Sequence, residues 1–202
     1  MGGAISATTM GVLFDSCNQP SEKTAGNTKD LFSDNHKALI TEISDIIIPT
    51  TDSPGAKAAG VGPFVAMMMN ECYPEKAQKA FVDGLDDVED RSKSKFSKSF
   101  MELSVAQRNE VIKSIADETV QKRKEDKEKE KKDADKQATT VKSKGTNDPV
   151  KNVYFFQLMR DLTLLGYFSS EVGTTKALAY VQVPGRYEGC TDLKPGQKAW
   201  AI

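Results

Sequence analysis

Apolar residues recur along this chain at helical spacing, in blocks separated by proline, glycine and charge. Leu39, Ile40, Ile43, Ile46 and Ile47 form one stripe behind Ser33 or Asp34, either of which can cap a helix, and Pro49 ends it. The turn-rich "PTTDSPGAKAAGVG" follows, and then an apolar helix with Phe64, Val65, Met68 and Cys72 on one side. Pro74 closes that helix and opens a third, marked by Phe81, Leu85 and Val88. Phe96 and Phe100 would share a face if their segment is helical. Ser104 and Gln107 form a capping-box pattern ahead of Val111, Ile112 and Ile115. Asp148 and Pro149 have the types that cap and open a helix, whose stripe runs through Val153, Phe156, Leu162 and Leu165 and breaks at Gly166. Ser170 leads a last helix, with Val172, Leu178 and Ala179 facing inward. No run of alternating residues reads as a strand, and no internal repeat is present. The pattern predicts an all-α domain of five to six helices.

Two segments depart from this pattern. Residues 121–146 interleave lysine with glutamate and aspartate and offer almost nothing to bury. They read as a solvated insertion, partly helical or disordered, with a docking arm as the functional alternative. The C-terminal stretch "VPGRYEGCTDLKPGQKAWAI", 183–202, is too rich in proline and glycine for a regular element, yet it holds the only tryptophan, Trp200. The expected organisation is therefore a leader over 1–32, a helical domain over 33–182 and an extended tail over 183–202.

The leader begins "MGGAISATTMGVLF", uncharged and rich in small residues, like the apolar region of a secretory signal. The charged region that should precede it is missing, so a plain small-residue N-terminus stands beside the export reading. The stretch is too short for a transmembrane helix, which needs about 20 apolar residues. Cys17 behind it is a candidate lipid anchor, with an unanchored cysteine in a leader as the alternative.

Charge and chemistry narrow the functional classes. The 202 residues carry a net charge of −1 with both signs mixed, which argues against nucleic acid as a partner. None of the three cysteines lies in a CxxC pair, and the one histidine, His36, sits in the first turn of the first helix. GxGxxG, GxxxxGK[ST] and GxSxG are absent. Met67–Met69 read as core filler and Cys72 as a small buried hydrophobe. Asp83, Asp86, Asp87, Glu89 and Asp90 crowd one helix; a solvated acidic face is the expected reading, and a hard-cation site is the alternative. From residues alone, this is a helical domain without an evident active site.

Two stretches carry a resemblance. "ISDIIIPTTDSPGAKAAGV" resembles a signature of the gluconate 2-dehydrogenase subunit 3 family, with Pro49, Asp52, Pro54, Gly55 and Gly60 as its structural residues. "LTLLGYFSSEVGTTKALAYVQVPGRYEGC" resembles the family's second block, through Tyr167, Phe168, Pro184, Gly185, Tyr187, Gly189 and Cys190. The resemblance implies a non-catalytic small subunit without a cofactor of its own. Its companion would be a flavoprotein of the glucose–methanol–choline type that holds FAD and oxidises a sugar or glucoside, with a c-type cytochrome as a further component. It also implies export to the periplasm through a twin-arginine signal whose arginine pair is missing here, with membrane association through a partner or Cys17. Pro184, Gly185, Tyr187, Gly189, Cys190, Trp200, Tyr167 and Phe168 are then candidates for the partner interface, with Cys190 as an intersubunit thiol. The competing reading is a free-standing helical protein or enzyme that uses the acidic face to bind a metal.

Overall fold

The computed structural model describes residues 30–136, 152–183, 185, 190, 192 and 194–201, with backbone alone for 132–136. The chain divides into two units, Met1–Asp30 and Leu31–Ile202, and the helical fold is that of the second. The leader with Cys17, the end of the charged insertion and the Asp148–Pro149 pair lie outside the described residues.

Among the described residues five α-helices form the body: α1 (Asp34–Ile47), α2 (Val61–Cys72), α3 (Glu75–Phe96), α4 (Val105–Lys136) and α5 (Phe155–Ser169). A 3₁₀ turn, Phe100–Glu102, precedes α4, and a π-turn, Gly173–Ala177, follows α5. No strand is present among the described residues.

The start of α1 follows the sequence. Ser33 takes extended backbone angles, and its hydroxyl accepts a hydrogen bond from the His36 amide at 3.2 Å. Leu39, Ile40 and Ile43 are fully buried, and Ile46 and Ile47 pack on the core from half-buried positions. Ser44 lies within this apolar face. Its hydroxyl donates to the Ile40 carbonyl at 2.8 Å and accepts from Thr163 of α5 at 3.4 Å, so the buried oxygen is paired.

On α2 the buried face is Val61, Gly62, Val65 and Met69, rather than the face containing Met68 and Cys72. The helix begins at Val61, and the residues four apart from there point at the core. Met68 and Phe64 are half-buried, Met67 is exposed, and Cys72 is exposed on the last turn. Cys72 is therefore not the buried hydrophobe that its residue type suggested.

Pro74 opens α3 as expected, and Phe81, Leu85 and Val88 are buried. The helix stops at Phe96, because Ser97 takes a left-handed conformation with φ 56° while its amide bonds the Lys93 carbonyl. Phe96 and Phe100 consequently do not share a helix face. Phe100 is buried in the 3₁₀ turn, where Ser99 N–H donates to Glu102 Oε2 at 3.2 Å. The Ser104–Gln107 capping box forms as read: Ser104 N–H to Gln107 Oε1 at 3.0 Å, and Gln107 N–H to Ser104 Oγ at 3.4 Å.

Helix α4 runs on through the charged stretch to Lys136. Its early part does pack. Thr119 is buried, and Glu118 pairs with Arg91 at 2.6 Å and with Lys122 at 2.7 Å. Asp126 accepts a hydrogen bond from the Tyr154 hydroxyl at 2.5 Å, across to the segment that leads into α5. Within the insertion Gln121, Lys122, Lys124 and Glu125 are exposed, and Arg123 and Asp126 are half-buried. Partial burial and the bond to Asp126 push the Tyr154 phenol up to about 12, while that bond holds Asp126 below the usual carboxylate range. A raised phenol value means a contribution that is present below pH 10 and lost as the pH rises towards about 12. The depressed Asp126 value means one that is present at neutral pH and lost in acid. Wild type should therefore lose more stability than Tyr154→Phe between pH 10 and about 12, as followed by urea unfolding; parallel losses would refute the link.

Helix α5 packs against all four other helices. It starts at Phe155, with Tyr154 as an extended cap, and not at Pro149, since Asn152–Tyr154 are not helical. Its buried face is Phe155, Met159, Leu162, Thr163, Gly166 and Tyr167, which leaves Leu165 exposed where burial was expected. Phe155 closes an edge-to-face chain with Phe81 and Phe32, at centroid distances of 5.2 and 5.8 Å. Gly166 does not break the helix. A Cβ there would lie 2.5 Å from the Phe64 ring, so the missing side chain is what lets α2 and α5 approach.

Candidate partner interface

The two stretches that carry the family resemblance meet in space. The first forms the connection between α1 and α2. There Ala56 N–H bonds the Ile48 carbonyl at 2.8 Å, and Gly55 N–H bonds Thr50 Oγ1 at 2.9 Å. Gly60 takes a left-handed φ of 68° and lets α2 begin. Lys57 anchors the connection to α1: its amide bonds Asp45 and its ammonium pairs with Glu42. Glu42 also holds Arg108 of α4 at 2.8 Å. Pro49 and Asp52 are exposed, and Pro54 is half-buried.

The second stretch reaches this connection through Tyr167. Its ring is buried, and its hydroxyl donates to the Pro54 carbonyl at 2.7 Å, with Ser53 Oγ at 3.5 Å. Removing that hydroxyl leaves the Pro54 carbonyl without this donor. Tyr167→Phe is expected to cost about 1 kcal/mol of stability, read as a small shift of the urea midpoint at unchanged slope.

The neighbouring residue has the opposite fate. Phe168 touches the Tyr167 ring edge-on at 5.2 Å but is 42% exposed, and Leu165, one turn earlier, is 52% exposed. Beyond α5, Ser170 Oγ accepts from the Gly173 amide at 3.0 Å, and the π-turn closes with Leu178 N–H on the Gly173 carbonyl at 3.1 Å. The last helix is thus little more than this turn, with Val172 and Leu178 half-buried. Ala179 pairs in parallel with Trp200, through Ala179 N–H to Ala199 O at 2.8 Å and Ala201 N–H to Ala179 O at 2.9 Å. Part of the tail is therefore tied to its own chain. Even so, Tyr180, Val181, Val183 and Trp200 all remain exposed, Trp200 at 59%. Leu165, Phe168 and these four account for most of the large exposed apolar side chains among the described residues.

Of the candidate interface residues, Gly185 and Cys190 are exposed, whereas Pro184, Tyr187 and Gly189 lie outside the described residues. Tyr167 serves as an internal tie rather than a contact. Leu165, which the periodicity places inward, and Tyr180 and Val181 beside the tail are exposed as well.

Three of the acidic residues on α3 are engaged within the fold. Asp86 pairs with His36 at 3.1 Å, Asp87 pairs with Arg91 at 2.7 Å, and the buried Glu89 accepts from the Phe100 amide at 3.4 Å. Among the described residues, no three His, Cys, Asp or Glu side chains are placed to hold a metal ion. No described helix is long and apolar enough to cross a membrane.

The family model of gluconate 2-dehydrogenase subunit 3 matches residues 34–185. The chain belongs to the gluconate 2-dehydrogenase subunit 3 family. The match takes in the whole helical body, the α1–α2 connection and the Tyr167–Phe168 pair, and it ends before Tyr187, Cys190 and Trp200. No curated protein and no solved structure matches the chain. The family is that of an accessory subunit of a dehydrogenase, so the role that follows is that of a non-catalytic member of an oxidoreductase complex.

Proposed function

We propose that this chain is the small subunit of an FAD-dependent sugar or glucoside dehydrogenase and that it stabilises a catalytic flavoprotein of the glucose–methanol–choline type. The flavoprotein holds the FAD and performs the oxidation, and a c-type cytochrome serves as the onward electron carrier. The complex works in the periplasm, and the small subunit accompanies its folded partner there. The family match over the helical body carries this reading. Two features support it. No dinucleotide or phosphate fingerprint occurs in the sequence. Most of the large exposed apolar side chains among the described residues lie on the end of α5 and on the tail, and exposed apolar surface is what protein contacts use.

Co-expression with a flavoprotein of that type tests the reading. The purified pair should show flavin absorbance and sugar-dependent dye reduction, and the isolated chain should show neither. Stoichiometric flavin on the isolated chain, or failure to co-purify, would overturn it. Fractionation of the expressing cells decides the periplasmic part separately.

A further inference from the structure

We propose that the pairing of Ala179 with Trp200 is a latch, closed before any partner binds, that holds the C-terminal segment in a preformed arrangement. Both ends of the latch are built locally. On the near side the π-turn fixes the approach to Ala179, and the Lys198 ammonium donates to the Lys176 carbonyl beside it. On the far side Lys194-Pro195-Gly196-Gln197 makes a turn. Gln197 N–H bonds the Lys194 carbonyl at 3.0 Å, Lys194 N–H bonds Gln197 Oε1 at 3.1 Å, and Gly196 has φ +74°. Proline followed by a left-handed glycine is the residue pair that a type II turn requires. The turn delivers Ala199 and Ala201 to either side of Ala179, so the two latch bonds flank Trp200 and leave its side chain in solvent.

The consequence concerns association, and this part rests on the accessory-subunit reading. A segment that must order itself on binding loses affinity to that ordering, and a segment closed in advance is spared most of the loss. The latch ties the backbone that leads into exposed Tyr180 and Val181 to the backbone that carries exposed Trp200 before the encounter.

Amide hydrogen exchange on the isolated full chain is the test. The Ala179 and Ala201 amides should exchange about tenfold or more slower than those of Tyr180 and Val181, which donate no backbone hydrogen bond to another described residue. Gly196→Val, which strains the left-handed position, should abolish that protection without changing the helical circular dichroism. Gly196→Asn, which tolerates the conformation, should keep it. Equal exchange at all four amides in the wild type overturns the latch. Titration with the flavoprotein reads the second step: Gly196→Val should weaken binding about fivefold, and Gly196→Asn should not. A protected latch with unchanged binding by Gly196→Val overturns the role in docking. Wild-type chain that binds no flavoprotein counts against the accessory-subunit reading, while the exchange data still decide whether the latch is closed.

Discussion

Gly173→Ala is expected to lower the melting temperature of the isolated subunit by roughly 6–12 °C, from an overpacking cost of about 3 kcal/mol in a chain of this length. A Cβ at Gly173 would lie 1.8 Å from the Tyr167 carbonyl oxygen and 3.2 Å from the Phe168 Cα. Both obstacles are backbone, so no side-chain rotation relieves them. The π-turn or the end of α5 has to move. Moving the end of α5 pulls Tyr167 from the Pro54 carbonyl, and with it the tie between the second stretch of the family and the first. Gly185→Ala is the control. Nothing lies within 4 Å of a Cβ there and the residue is exposed, so its melting point should stay within about 2 °C of wild type. If Gly173→Ala melts like Gly185→Ala, the packing of the π-turn against α5 is wrong.

How far the sequence exposed this structure depended on whether a local group carried the signal. The Ser33 cap, the Ser104–Gln107 box and the stop at Pro49 each follow from a side chain acting on backbone a few residues away, and each was readable. The stop at Ser97 was not, because serine seldom adopts φ 56° and nothing around it announces a turn. Helix α5 defeated the periodicity argument for another reason. It carries Phe155, Phe156, Leu158, Leu162, Leu164, Leu165, Tyr167 and Phe168 around most of its circumference, since it packs against four helices. A stripe cannot be chosen when nearly every face is apolar, so the periodicity points Leu165 inward and makes Gly166 look like a break. Burial of Cys72 was inferred from residue type, which says nothing about position on the last turn of α2. For the interface, the resemblance singled out Tyr167 and Phe168 together. Only the side-chain positions separate a buried tie from an exposed ring.

That separation sets the prediction with the largest effect. Phe168→Ala and Trp200→Ala should each weaken association with the catalytic flavoprotein by about 30-fold, and the double variant by about 100- to 1,000-fold. Aromatic residues dominate the energy of protein interfaces, and truncating one at a hot spot typically costs about 2 kcal/mol or more. Both rings are large, and both stand in water in the isolated chain, Phe168 at 42% and Trp200 at 59% exposure. Neither is needed for the core, so the helical circular dichroism and melting point of the variants should stay near wild type. Tyr167→Phe supplies the contrast. Its ring is buried and its hydroxyl faces Pro54, so it should lower stability slightly while leaving the dissociation constant within about twofold. Titration of each variant against the flavoprotein by calorimetry distinguishes the two classes. If the double variant binds as tightly as wild type, the surface at the end of α5 and the tail is not the interface, and the partner must contact another face of the helical body.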